Sequence, residues 1–414
     1  MKKVIQYLSI FLAATCYVGH SFGQAIAPNP APKSDKPDYS NNQVFTAEDM
    51  YVETFHEYLI YNKTVGPRWI INRYDGVLEC YDTDFQKLWS FTPTDTERLN
   101  NGRNQFYYQD GVLFTAYMTG YIYAINATDG SLFWESKIGL NTGELVLRGQ
   151  SLVPYRDMLF LSSNNSNIYA ISASDGQLQW NYKLVYPYNN LPNLVLNDTL
   201  YLQNAPYVYN FVAASGQPLY QRGFPRAMYG KPVTNGHLVI IPNESKTVYG
   251  LAPTDLAPVW EFEIGEDEYN INKKIFTAGD KVYFATETDG SHSGVYCLVA
   301  ADGQLQWKAA VEGDIEFIVQ DGALIYGYTA ENKLFTLTMD TGAVELSPLD
   351  YQPVSNLQIV NGDVYYYAKE GLVRFGRSDG GQQVVIPFDG KDADAAETRL
   401  DSQILLTTSS KNPA

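Results

Sequence analysis

Apolar and polar positions alternate in short runs along most of the chain, and the runs come in a recurring group. A strand such as Tyr121-Ile-Tyr-Ala-Ile leads into a turn containing Asp129-Gly130. A second strand with an aromatic residue, Leu132-Phe-Trp134, follows it. The same group returns at 167–180 and 294–307, and in weaker form at 76–89, 207–220, 247–260, 333–346 and 371–384. Alternation over four to eight residues predicts half-buried β-strands. Asp-Gly between two such runs is a hairpin signal, because glycine readily supplies positive φ.

Between one group and the next lie two more strand-like runs, as at 105–111 and 112–117 before Tyr121. Each period therefore predicts about four short strands, and no useful stretch has the 3.6-residue repeat of a helix. The aromatic position or its substitute falls at 89, 134, 180, 220, 260, 307, 346 and 384, so the period is 38 to 47 residues. Five of the six tryptophans occupy that one position, and the sixth is Trp69. Periods of this size mark propellers or solenoids. Four strands per unit predict an all-β fold, a single β-propeller of eight four-stranded blades, with seven as the alternative. Ring closure is expected to pair 403–408 with the segment 55–61, leaving no open sheet edge.

Composition narrows the function. The chain has 414 residues, 45% apolar, enough for a large folded core. Lys and Arg total 29 against 46 Asp and Glu, a net charge of −17 without any basic run, which excludes a nucleic-acid partner. The 33 tyrosines suit pleated strands. The four histidines have neither HxH nor HExxH spacing, so no metal site is expected.

At the amino terminus, Lys2 and Lys3 precede an apolar run and then Ser21-Phe22-Gly23. This reads as a secretory signal peptide over 1–23. Leu12-Ala-Ala-Thr-Cys16 offers a second route, lipidation of Cys16, although Thr15 is a poor fit before the cysteine. Residues 24–46 carry Pro28, Pro30, Pro32 and Pro37 and read as an extended linker, with the propeller domain over 47–414. The exported chain keeps Cys80 and Cys297, expected as buried free thiols.

The repeated Ala-x-Asp-Gly turn and its following tryptophan resemble the pyrroloquinoline-quinone-like β-propeller repeat, over roughly 70–388. That resemblance implies that Trp89, Trp134, Trp180, Trp260 and Trp307 dock neighbouring blades, with Tyr220 a softer version. Leu346 and Val384 depart from the pattern. Two classes of function follow. The first is an exported, non-catalytic, monomeric scaffold without cofactor, similar to the propeller lipoproteins that assist outer-membrane β-barrel assembly. Its partners would be proteins of the cell envelope, its location periplasmic or secreted, and Cys16 would supply peripheral membrane attachment.

The second class is an enzyme, either a small quinoprotein dehydrogenase or a polysaccharide lyase or hydrolase. The quinoprotein reading lacks an adjacent cysteine pair and a CxxCH haem site. The carbohydrate reading has residues of the right type in His56, Arg103, Arg148, Tyr155, Arg156, Arg226 and Tyr229, but no spacing that joins them. A candidate ligand site spans both classes. Arg103, Arg148, Arg226 and Lys273 each precede the innermost strand of a repeat, where they could form a basic ring at the channel mouth for an anionic ligand or acidic peptide.

Overall fold

The computed structural model describes residues 33–34, 59–62 and, with interruptions, 68–388. Eight antiparallel four-stranded sheets occupy 59–91, 105–137, 153–183, 194–223, 233–263, 275–312, 315–348 and 358–387, and they are blades 1 to 8 of a β-propeller. Each blade is a meander in sequence order, running from an inner strand to an outer one. The leader at 1–23, Cys16 and the segment 403–408 lie outside the described residues. Of the linker, Lys33–Ser34 pairs in parallel with the outer strand of blade 4 at Tyr220 and Gln221.

The second and third strands are buried on both sides, as in Tyr121–Asn126, where only the two end residues reach solvent. Their near-continuous apolar sequence follows from that position between two neighbouring sheets. The core is accordingly divided into layers, one between each pair of blades. Ile70, Cys80 and Trp89 of blade 1 meet Leu113, Tyr123 and Ile125 of blade 2. Equivalent layers join every successive pair around the ring. The ring closes face to face: Trp69 and Ile71 of blade 1 pack on Tyr365, Tyr367 and Leu372 of blade 8. The Trp69 and Tyr365 rings are 4.5 Å apart.

Each tryptophan of the repeat lies on the glycine turn of the next blade, Asp-Gly at Gly130, Gly176 and Gly303, Ser-Gly at Gly216 and Thr-Gly at Gly342. A Cβ at Gly130, Gly176, Gly216 or Gly303 would come within 2.5–2.7 Å of the indole of Trp89, Trp134, Trp180 or Trp260 respectively. The glycine therefore serves two needs at once, positive φ and a flat seat for the ring. Each indole N–H also donates to a backbone carbonyl of that next blade: Ala127, Ala173, Ala213, Ala300 and, for Trp307, Met339, at 3.0–3.2 Å. In blades 1 to 6 a β-bulge immediately precedes the docking position, re-aiming that side chain across the interface.

Where the docking residue is smaller, the turn compensates. Opposite Tyr220 the glycine position holds Leu256, at φ 59° and fully buried. Opposite Val384 it holds Phe85, at φ 58°, packed against Trp69 and Tyr365. Bulky residues rarely adopt this conformation, so the filled volume must offset the backbone cost. At the blade 4–5 interface Tyr201 and Asn210 donate to the carbonyl of Pro253, the equivalent of the acceptors used by the indoles elsewhere. The outer strand of blade 7 has no bulge, its Leu346 is exposed, and a Cβ added at Gly380 of blade 8 would meet nothing within 4 Å. That interface instead has Arg377 donating to the Tyr326 hydroxyl at 2.9 Å.

Candidate functional site

A meandering blade sends its two intrablade turns to one face of the ring. The interblade connections and the central loop of each blade lie on the opposite face. The turn face is acidic. First turns contribute Asp110, Asp157, Asp198, Asp280, Asp321 and Asp363. The turns before the outer strands contribute Asp82, Asp84, Asp129, Asp175, Asp255, Asp302, Asp340 and Asp379. Many of these build the turn as well as charge it. The Asp129 carboxylate accepts the Ser131 backbone N–H at 2.9 Å, and Asp175, Asp302 and Asp379 do the same two residues on. Hydrogen bonds from the Ser131 hydroxyl and N–H hold Asp129 below the usual carboxylate range, and bonds from Ser172 and the Gln177 N–H do so for Asp175. Both stay ionised at neutral pH.

Cations on this face are engaged locally. Arg68 donates to the Ala127 and Thr128 carbonyls of the next blade. Arg374 pairs with Asp363, and Arg156 with Asp198 at 3.0 Å. Tyr155 donates to the same Asp198 carboxylate at 2.6 Å, so Tyr155 and Arg156 clasp blade 3 to blade 4.

On the connection face, Arg226 lies exposed just after the outer strand of blade 4. Arg103, Arg148 and Lys273, the other members of the expected basic ring, are outside the described residues, as are His56 and Tyr229. Tyr155 and Arg156 sit on the opposite face from Arg226, so the structure does not bring these described members of the carbohydrate-cleaving set together. His237, in the first turn of blade 5, and His292, at the start of the third strand of blade 6, are likewise on opposite faces. Among the described residues no group of three His, Cys, Asp or Glu could hold a metal ion.

Sequence reasoning missed a buried carboxylate on the connection face. Glu268, 6% exposed, lies in the connection into blade 6, where Glu268–Tyr269 pairs with Glu287–Thr288. It accepts from Thr286 Oγ1 and Lys308 Nζ, both at 2.7 Å, and from the Tyr296 hydroxyl. Burial works to raise its pKa, but the bonds from Lys308, Tyr296 and Thr286 outweigh it and leave the carboxyl below its ordinary value. Its partners come from the residue after the second strand of blade 6 and from its third and outer strands, and their spacing of 18, 28 and 40 residues gives no local signal.

A closed ring of eight blades, keyed at five interfaces by a tryptophan laid on the next blade's glycine turn, defines a propeller of the quinoprotein-like repeat class. Residues 74–345 match the family model described as outer membrane protein assembly factor BamB, and the chain belongs to that family. Among solved structures it is similar to BamB from Moraxella catarrhalis, with TM-score 0.58, 16% identity, and coverage of 80% of this chain and 97% of that one. A computationally designed protein, Ika8, matches with TM-score 0.62 and 12% identity, over 76% of this chain and 94% of that one. The quinohemoprotein alcohol dehydrogenase of Comamonas testosteroni matches with TM-score 0.57 and 9% identity, over 77% of this chain and 70% of that one. No curated protein matches the chain by sequence.

Proposed function

We propose that this propeller is an exported, non-catalytic scaffold that binds protein partners of the cell envelope in outer-membrane protein assembly. The observation that carries the reading is the family match over 74–345, which runs from blade 1 into blade 7. The layered core supports it, since a ring clamped at every interface presents its loops on a rigid frame. In this reading the signal peptide over 1–23 directs export, and Cys16 or the mature chain from Gln24 begins the periplasmic protein. The acidic turn face repels an acidic segment, which leaves the connection face, where Arg226 is exposed, as the side such a partner would approach.

Purifying the protein from its own envelope, with native mass spectrometry of the intact complex, tests this. A co-purifying membrane protein, released by charge reversal of Arg148 and Arg226, is the expected result. A soluble chain carrying bound calcium or a quinone would replace the scaffold reading with the enzymatic one.

A further inference from the structure

On the turn face, a cavity of about 480 Å³ opens between blades 6 and 7, within the 300–1,000 Å³ or so usual for small-molecule sites. It lies where the tryptophan lock is loosest. A Cβ at Gly342 would stand 3.1 Å from the Trp307 indole, against 2.5–2.7 Å at the other four tryptophan interfaces. Trp307 is half-buried, forms one wall, and remains anchored through its N–H to Met339.

The floor carries a tyrosine at a row position where blades 4 and 8, which lack a docking tryptophan, have Tyr201 and Tyr366. Across the strands, the row ending in the docking tryptophan reads Phe114-Ala124-Trp134 in blade 2 and Phe160-Ala170-Trp180 in blade 3. Blades 1 and 5 have Ile70-Cys80-Trp89 and Ile240-Gly250-Trp260. Blade 6 alone of these five has a hydroxyl there, in Tyr283-Cys297-Trp307. Tyr283 is 4% exposed and in the strand register stands opposite Cys297, whose thiol is a weak hydrogen-bond partner that leaves the tyrosine hydroxyl capacity for another. Around it the rim presents Asp280, Asp340, Gln306 and Gln320. Lys281 lies 3.5 Å from Asp280 and offsets one of the two carboxylates, so the rim is rich in acceptors without strong net charge.

We propose that this cavity binds a saccharide of one or two rings, with its apolar face against Trp307 and its hydroxyls on Tyr283, Asp280, Asp340 and the two glutamines. A neutral polyol suits the set because each planar amide and carboxylate can bridge neighbouring hydroxyls, while the aromatic wall takes the C–H face.

The test titrates the full chain with maltose and with N,N′-diacetylchitobiose, read by saturation-transfer NMR and tryptophan fluorescence, with argininamide as a cationic comparison. Y283F keeps the ring that blades 2 and 3 place in this row, so its fold is preserved. Losing one neutral hydrogen bond should weaken binding about three- to tenfold. D340N should weaken it similarly, whereas N235A, in the first turn of blade 5, should leave it unchanged. Saccharide binding that falls in Y283F and D340N supports the proposal. It is overturned by no binding of either sugar, by binding unaltered in both variants, or by binding of argininamide alone.

Discussion

Replacing Gly303 by alanine puts a methyl group 2.7 Å from the Trp260 indole, in a residue held at φ 72°. Two costs are combined there. The left-handed conformation alone costs a non-glycine residue roughly 1–2 kcal/mol. Forcing a methyl into the packed interface adds roughly 1–3 kcal/mol. Gly380 separates them, because it occupies the same turn position in blade 8 at φ 67° with nothing within 4 Å. G380A should therefore show the conformational cost alone, and G303A should be less stable by about a further 1–3 kcal/mol. Urea denaturation of the full chain, followed by near-ultraviolet circular dichroism, gives both values from the midpoint shift at constant slope. W260A provides the complement: losing the buried indole should cost about 3–5 kcal/mol. If G303A and G380A were equally destabilised, the idea that the indole is locked onto the glycine seat would be wrong.

The other interfaces make related predictions. Y220W alone should destabilise, since Leu256 fills the seat, while Y220W combined with L256G should recover most of the loss; a strictly additive double-mutant cycle would contradict this coupling. Glu268 is held below its unfolded pKa, so its contribution to stability is present above that unfolded value and is lost as pH falls through the folded one. E268Q should therefore lower the melting temperature at pH 7 and flatten the acid limb of the stability curve, as differential scanning calorimetry between pH 3 and 7 would show. Burial pushes the Cys80 thiol up to about 11, so a disulfide reagent at pH 8 should label it only after unfolding. R156A should change stability by less than about 1 kcal/mol, because both members of its pair with Asp198 are nearly two-thirds exposed.

The repeat made the fold legible, because each blade must present the same buried third strand and the same turn. Local alternation, Asp129-Gly130 and Trp134 report on a single blade, and their recurrence reports the count. The weaker copies were harder to read, since Leu256 and Phe85 break the Asp-Gly signature while keeping its backbone conformation. Their reason is visible only across the interface, where Tyr220 and Val384 leave volume to be filled. The candidate basic ring was a sequence reading of connection loops, and of its four members the described residues include Arg226 alone.

By itself, then, the sequence determined what depends on short-range order: all-β structure, the period, the blade number to within one, and the residues that face a neighbouring blade. The tertiary structure decided what depends on which blades meet. It closed the ring through Trp69 and Tyr365, placed Tyr155 and Arg156 on the face opposite Arg226, and gathered Thr286, Tyr296 and Lys308 on Glu268. It also opened the cavity at Tyr283 and Trp307, because a few tenths of an ångström in the seat of one indole belong to the fit between two sheets and to no single strand.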